Sequence, residues 1–259
     1  MTYLPSEMMT IAAAHALKNT DVCFVGIGLP SMACNLARLT HAPDIKLVYE
    51  SGTLETRPSV LPLSIGDGQL CDTALTTVPV PEMFRYWLQG GRMTLGFLSG
   101  AQVDKFGNLN STVIGEYSKP KVRLPGSGGA SEIATNCGEI FIIMRQNPRT
   151  FVERIDFLTS LGYGRTGRER KALGISTKGP TLIVTDLCLM KPDPDTSEFV
   201  VVSLHPRVTS DIVREKTGWD VKFKAQLDET PEPSQEELTV LRDLNARTME
   251  AHGMAMAES

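Results

Sequence analysis

The stretch DVCFVGIGLPSMACNLARLTHAPDIKLVYESG, residues 21–52, restricts the fold more than any other part of the chain. Its first half is an apolar run that enters a turn containing Gly26 and Gly28. Pro30, tolerated in the first turn of a helix, then opens a helical stretch over 30–41. A second apolar run, Ile45 to Tyr49, stops on Glu50 and is followed at once by Ser51 and Gly52. Strand, glycine turn, helix and strand in this order read as a βαβ unit, which requires a parallel sheet covered by helices. The expected class is therefore α/β, an open sheet flanked by helices.

Further apolar runs extend the pattern. Residues 93–98, 139–144, 181–190 and 197–205 read as strands, and 5–18, 81–89, 130–136, 208–216 and 234–248 as helices. Two long segments, 118–131 and 159–174, read as loops, and loops of that length in a compact domain are usually functional or interfacial. With 259 residues the chain can bury a substantial core.

Composition excludes several classes of function. A net charge of −4 without a basic stripe gives no footprint for nucleic acid. No window approaches the ~18 apolar residues of a membrane span, and Glu7 ahead of the first apolar stretch argues against a signal peptide. Five scattered cysteines without a CxxC pair fit free thiols in a reducing cytoplasm. Four histidines at 15, 41, 205 and 252 lack metal-ligand spacing, so no metal site is expected.

Three features carry chemistry. A carboxylate at a strand end, Glu50, costs desolvation energy unless it is paired or used, and strand ends are where α/β proteins place their sites. The Gly26–Gly28 turn also fits a dinucleotide fingerprint, with Glu50 standing 22 residues past Gly28 as its acid. Against that reading, Ser31 occupies the place of the third glycine and Pro30 interrupts the turn. A tight turn without a ligand is the plainer alternative. The second glycine cluster, Gly126, Gly128 and Gly129, leads into a helix and offers backbone N–H groups to an oxyanion or phosphate. Just upstream, Lys119, Lys121 and Arg123 alternate and would share one face of an extended segment, as candidate phosphate or substrate contacts or as a solvated edge. An ionised carboxylate beside oxyanion donors can attack an activated acyl group without a separate base.

These residues resemble the class I CoA-transferases, in particular the glutaconate CoA-transferase β subunit. "ESG" at 50–52 is similar to the family's catalytic glutamate motif. "VGIGLP" (25–30), "SGAQVDKFGNLNST" (99–112), "PGSGGASEIAT" (125–135), "VTDLCLM" (184–190) and "LHPRVTSDIVREKTGW" (204–219) resemble family segments in the same order. The resemblance implies a NagB/RpiA/CoA-transferase-like fold and a single β-subunit domain over 1–259. It also implies ping-pong transfer of CoA between carboxylic acids through a thioester on a buried Glu50. Coenzyme A enters as a cosubstrate, with no permanently bound cofactor. "ESG" in place of the "ENG" of transferases for short 3-oxo acids favours a glutaconate-like substrate. A related hydrolase or lyase, or a non-catalytic nucleotide-binding or assembly subunit, is the competing reading. The resemblance further implies an α-subunit partner in an α2β2 or higher assembly. "RYWLQGGRM" (85–93) and the 159–174 segment offer interface-type aromatic and arginine residues.

Overall fold

Parallel pairing of the first two strands sets the architecture. The computed structural model describes residues 2–253. Helix α1 (Pro5–His15) precedes β1 (Val22–Val25), α2 (Leu29–Leu39) and β2 (Lys46–Tyr49). Strands β3 (Leu95–Leu98), β4 (Glu139–Ile143), β5 (Pro180–Val184), β6 (Cys188–Pro192), β7 (Phe199–Leu204) and β8 (Phe223–Glu229) complete one sheet of order β8-β7-β6-β5-β4-β3-β1-β2. Strands β2, β1, β3, β4 and β5 are mutually parallel, and β6 runs antiparallel to both its neighbours.

Both faces of the sheet are covered, as a parallel sheet requires. Leu47 and Tyr49 of β2 and Cys23 and Val25 of β1 pack with α1, α2 and the C-terminal helix α4 (Gln235–Ala251). The alternate residues, Val48 and Phe24, face a second core with Ile133 of α3 (Ala130–Asn136) and Met83 and Leu88. The chain leaves β1 for β2 on one side and later enters β3 on the other. Connections therefore diverge at β1 and β3, and ligand crevices of such sheets lie at that point, beyond the strands' carboxyl ends.

Four sequence expectations change. Residues 181–190 are not one strand: β5 and β6 form a hairpin whose turn is set by Thr185, with Oγ1 accepting the Leu187 and Cys188 N–H groups. The unbroken apolar run hid that turn. Residues 81–89 wind as a single α-turn, Val80–Glu82, and then as a π-helix, Met83–Leu88. The 118–131 segment is a loop only in part, because Val113–Glu116 and Lys119–Arg123 pair as a hairpin. Within 159–174, Glu169–Ala172 is helical and carries a buried Arg170, whose guanidinium donates to Ala134 O at the end of α3. Strand β8 is an addition that no periodic apolar signal announced.

Candidate active site

Glu50 directly follows β2 and is the second residue of a tight turn closed by the Gly52 N–H on Tyr49 O at 3.0 Å. The glycine behind it is compulsory. Gly52 has φ +104, and a Cβ there would stand 1.9 Å from Val78 O. Val78 N–H also donates to Gly52 O at 2.9 Å, which locks the turn. The small residues after the strand therefore aim the carboxylate. Glu50 is half-buried in this chain, not fully enclosed as the resemblance implied, because one side of its cleft is open.

That cleft holds about 400 Å³ and sits at the carboxyl ends of β1 and β3. It gathers Glu50, the first glycine turn through Gly26, and the second through Gly128 and Gly129. Gly28, with φ +81, is the residue before α2 and shapes the same turn. Gly129 precedes α3 and lies against the carboxylate: a Cβ built on it would be 3.0 Å from Glu50 Oε1. Gly126 does not line the cleft; it bends the chain with φ +102 and is held by Ser111, whose Oγ donates to Gly126 O at 2.8 Å. Among the described residues, the Gly128 and Gly129 N–H groups make no hydrogen bond. They are free donors in the same partly apolar crevice as the Glu50 carboxylate, where such donors act more strongly than in water.

Sequence reasoning missed three lining residues. Ser99, at the end of β3, and Ser127, inside the second glycine turn, bring exposed hydroxyls, and Ile65 brings an apolar wall from a distant segment. Only Ser127 carried a local signal, its place among the glycines.

The cations Lys119, Lys121 and Arg123 do not line the cleft, and they do not share a face. The register shift in the hairpin pairs Arg123 with Val113 and Lys119 with Glu116, leaving Lys121 as an extra residue. Val113 and Glu116 are three apart and point to opposite sides, so their partners do too. A one-residue bulge reverses the alternation that the spacing suggested. Arg123 instead lies 5.0 Å from the Tyr117 ring centroid.

Among the described residues no cluster of His, Cys, Asp and Glu suits a metal ion, and no helix is long and apolar enough to cross a membrane. Four of the five cysteines are buried, and Cys71 is exposed.

Residues 6–216 match the family described as Coenzyme A transferase. The chain belongs to that family. It is 59% identical to the B-type subunit of 3-oxoadipate CoA-transferase from Pseudomonas knackmussii, over 99% of this chain and 98% of that one. It is 36% identical to the B-type subunit of glutaconate CoA-transferase from Acidaminococcus fermentans, over 90% and 89% of the two chains. The crystal structure of glutaconate CoA-transferase from Acidaminococcus fermentans superposes with a TM-score of 0.87 at 32% identity, covering 93% of this chain and 94% of that one. The fold and the family expected from the ordered motifs are thus those observed, and the chain is a CoA-transferase subunit of the B type.

Proposed function

We propose that this chain carries the nucleophile of a two-subunit CoA-transferase, and that its acid substrate is a 3-oxo dicarboxylic acid of the 3-oxoadipate type. The substrate rests on the 59% identity to an enzyme named for that acid, against 36% to one named for glutaconate. This replaces the glutaconate-like substrate suggested by "ESG". The nucleophile rests on one observation, the Glu50 carboxylate lying against Gly129 with the Gly128 and Gly129 N–H groups free.

The chemistry follows from those groups. A Glu50 oxygen attacks the thioester carbon of an acyl-CoA; the C–S bond breaks and CoA leaves as the thiolate, giving a mixed anhydride. The thiolate then attacks the Glu50 carbonyl carbon and the first acid departs as carboxylate, leaving a glutamyl-CoA thioester. The incoming acid reverses both steps. Nucleophiles and leaving groups are all anions, so no proton is transferred and no histidine is needed. Each addition builds an oxyanion that the Gly128 and Gly129 N–H groups stabilise, at about 3 kcal/mol per well-aimed donor. CoA is a cosubstrate throughout. Lys119, Lys121 and Arg123, outside the cleft, remain candidates for its phosphate end only. The turn shaped by Gly26 and Gly28, of which Gly26 lines the cleft, lets the CoA arm approach the backbone.

The cleft is open on one side, and a thioester has to be kept from water. An α-type subunit closes it in this reading, in an α2β2 or higher assembly, with residues 1–259 acting as one domain. A cytoplasmic enzyme fits the free thiols. Treatment of the co-expressed complex with acyl-CoA and then borohydride reduces a Glu50 thioester to the alcohol, read as a mass change in the Glu50 peptide. An unchanged peptide in an active preparation removes the covalent route, and CoA release without an acceptor acid identifies a hydrolase.

A further inference from the structure

Ser31, which breaks the dinucleotide fingerprint, has a partner on the neighbouring strand. Its Oγ lies 2.7 Å from the hydroxyl of Tyr49, the residue immediately before Glu50. Both side chains are at 0% exposure, so neither can touch a substrate. The bond joins two walls of the cleft: Ser31 is in the first turn of α2, just past Gly26 and Gly28, and Tyr49 ends the strand that presents Glu50.

The bond is itself oriented from behind. Arg38 donates Nε and Nη2 to Asn35 Oδ1 at 3.3 and 3.1 Å, which fixes the Asn35 amide with its Nδ2 toward Ser31. Asn35 Nδ2 donates to Ser31 O at 2.9 Å and approaches Ser31 Oγ at 3.5 Å. Arg38 Nη2 also donates to Pro58 O at 2.9 Å, tying the relay to the chain beyond the Glu50 turn. A buried polar chain of this kind is costly if any member is left unpaired, so its intact form fixes one geometry. We propose that Tyr49 and Ser31 are positioning residues for the transfer reaction: their hydrogen bond sets the spacing between the Glu50 carboxylate and the Gly26–Gly28 wall. The inference rests on the reading of Glu50 as the nucleophile.

The test is a double-substitution cycle in the co-expressed complex, with Tyr49→Phe, Ser31→Ala and both together, measured as kcat and KM for acyl-CoA alongside the melting midpoint. Glu50→Gln in the same preparation tests the underlying reading separately, since it must abolish exchange whatever the cycle shows. Displacing a reacting group by about an ångström can cost of order a hundredfold in rate. The expectation is a ten- to hundredfold loss of kcat in each single variant, no further loss in the double variant, and KM for acyl-CoA within twofold of wild type. The proposal is overturned by kcat within twofold of wild type in both single variants, or by losses that multiply in the double variant. It is equally overturned by a rise in KM that tracks a falling melting midpoint, which would mark the bond as purely structural.

Discussion

Gly129 faces Glu50 so closely that a β-carbon would stand 3.0 Å from its Oε1 and 2.7 Å from the Phe84 ring. Backbone conformation is not the reason for a glycine here, because φ −82 and ψ −1 are open to any residue. Space is the reason. Gly129→Ala should therefore fold but push the carboxylate or the ring aside, and exchange should fall about a hundredfold. Gly128 is the opposite case, with φ +48 and nothing within 4 Å of a Cβ. Gly128→Ala should cost about 1 kcal/mol of stability with a smaller loss of rate. Measuring kcat and urea midpoints for both separates the two causes, and wild-type kcat in Gly129→Ala would take this turn out of the site.

Glu50→Gln keeps the shape of the side chain and removes the carboxylate proposed as nucleophile. Exchange should drop by several orders of magnitude. Because the residue is half-buried, little desolvation is relieved, and stability should stay within about 0.5 kcal/mol. Kinetics and a thermal melt on one preparation decide it: activity near wild type would make Glu50 a structural residue.

The turn behind Glu50 makes a sharper prediction. Gly52→Ala meets Val78 O at 1.9 Å and also strains a φ of +104. Both effects act together, so the variant should lose more than about 1 kcal/mol and its exchange activity as well. A urea midpoint matching wild type would mean that the turn relaxes freely and does not aim the carboxylate.

Much of this site could be read from residue types alone. Glu50 at a strand end and glycines at two turns are local signals, each written within a few residues of its own strand or helix end. The ordered motifs added the family. What escaped has one physical character: it depends on pairing across distance. The Lys119 to Arg123 alternation failed because a bulge is a property of two strands, and nothing in one strand announces it. Ser99 and Ile65 reach the cleft through topology. Residues 181–190 looked continuous because the turn at Thr185 lies inside an apolar run.

Asp104 supplies a pH-dependent term. Its carboxylate accepts from the Phe106 and Asn108 N–H groups and from Asn108 Nδ2, but burial outweighs these bonds and raises its pKa to about 6. The folded value lies above the ordinary 3.8, so the folded state binds the extra proton. Its stabilising contribution is full below about pH 4 and is lost as pH rises to about 6. The shift of roughly two units corresponds to at most about 3 kcal/mol. Asn108 Oδ1 accepts the Gly162 and Gly164 N–H groups, so this pair also ties down the start of the 159–174 segment. Asp104→Asn should be less stable at every pH, because its amide NH2 meets that of Asn108, and it should flatten the pH dependence between 4 and 6. Parallel urea midpoints for the two proteins across that range would show that Asp104 takes up no extra proton on folding.

The last prediction concerns the open side of the cleft. Ile65 lines it and is itself exposed, and Leu63, Leu75, Val80 and Tyr86 are exposed on the segment that follows the Glu50 turn. Five large apolar side chains left exposed within residues 63–86 are the composition expected of a segment that meets a partner. Tyr86 belongs to the RYWLQGGRM stretch, and Arg92 stacks on it at 3.9 Å, a rigid aromatic–guanidinium pair of the kind enriched at interfaces. The cleft's lining includes no cation, so the dicarboxylic acid proposed as substrate finds no charge partner among these lining residues. The chain purified by itself should therefore fold yet exchange no CoA, and co-expression with an α-type partner should restore exchange. Replacing Leu75 or Val80 by Asp should weaken co-purification while leaving the isolated chain's melting midpoint unchanged. Full exchange by the isolated chain would show that the nucleophile, the oxyanion donors and acid recognition all reside within these residues.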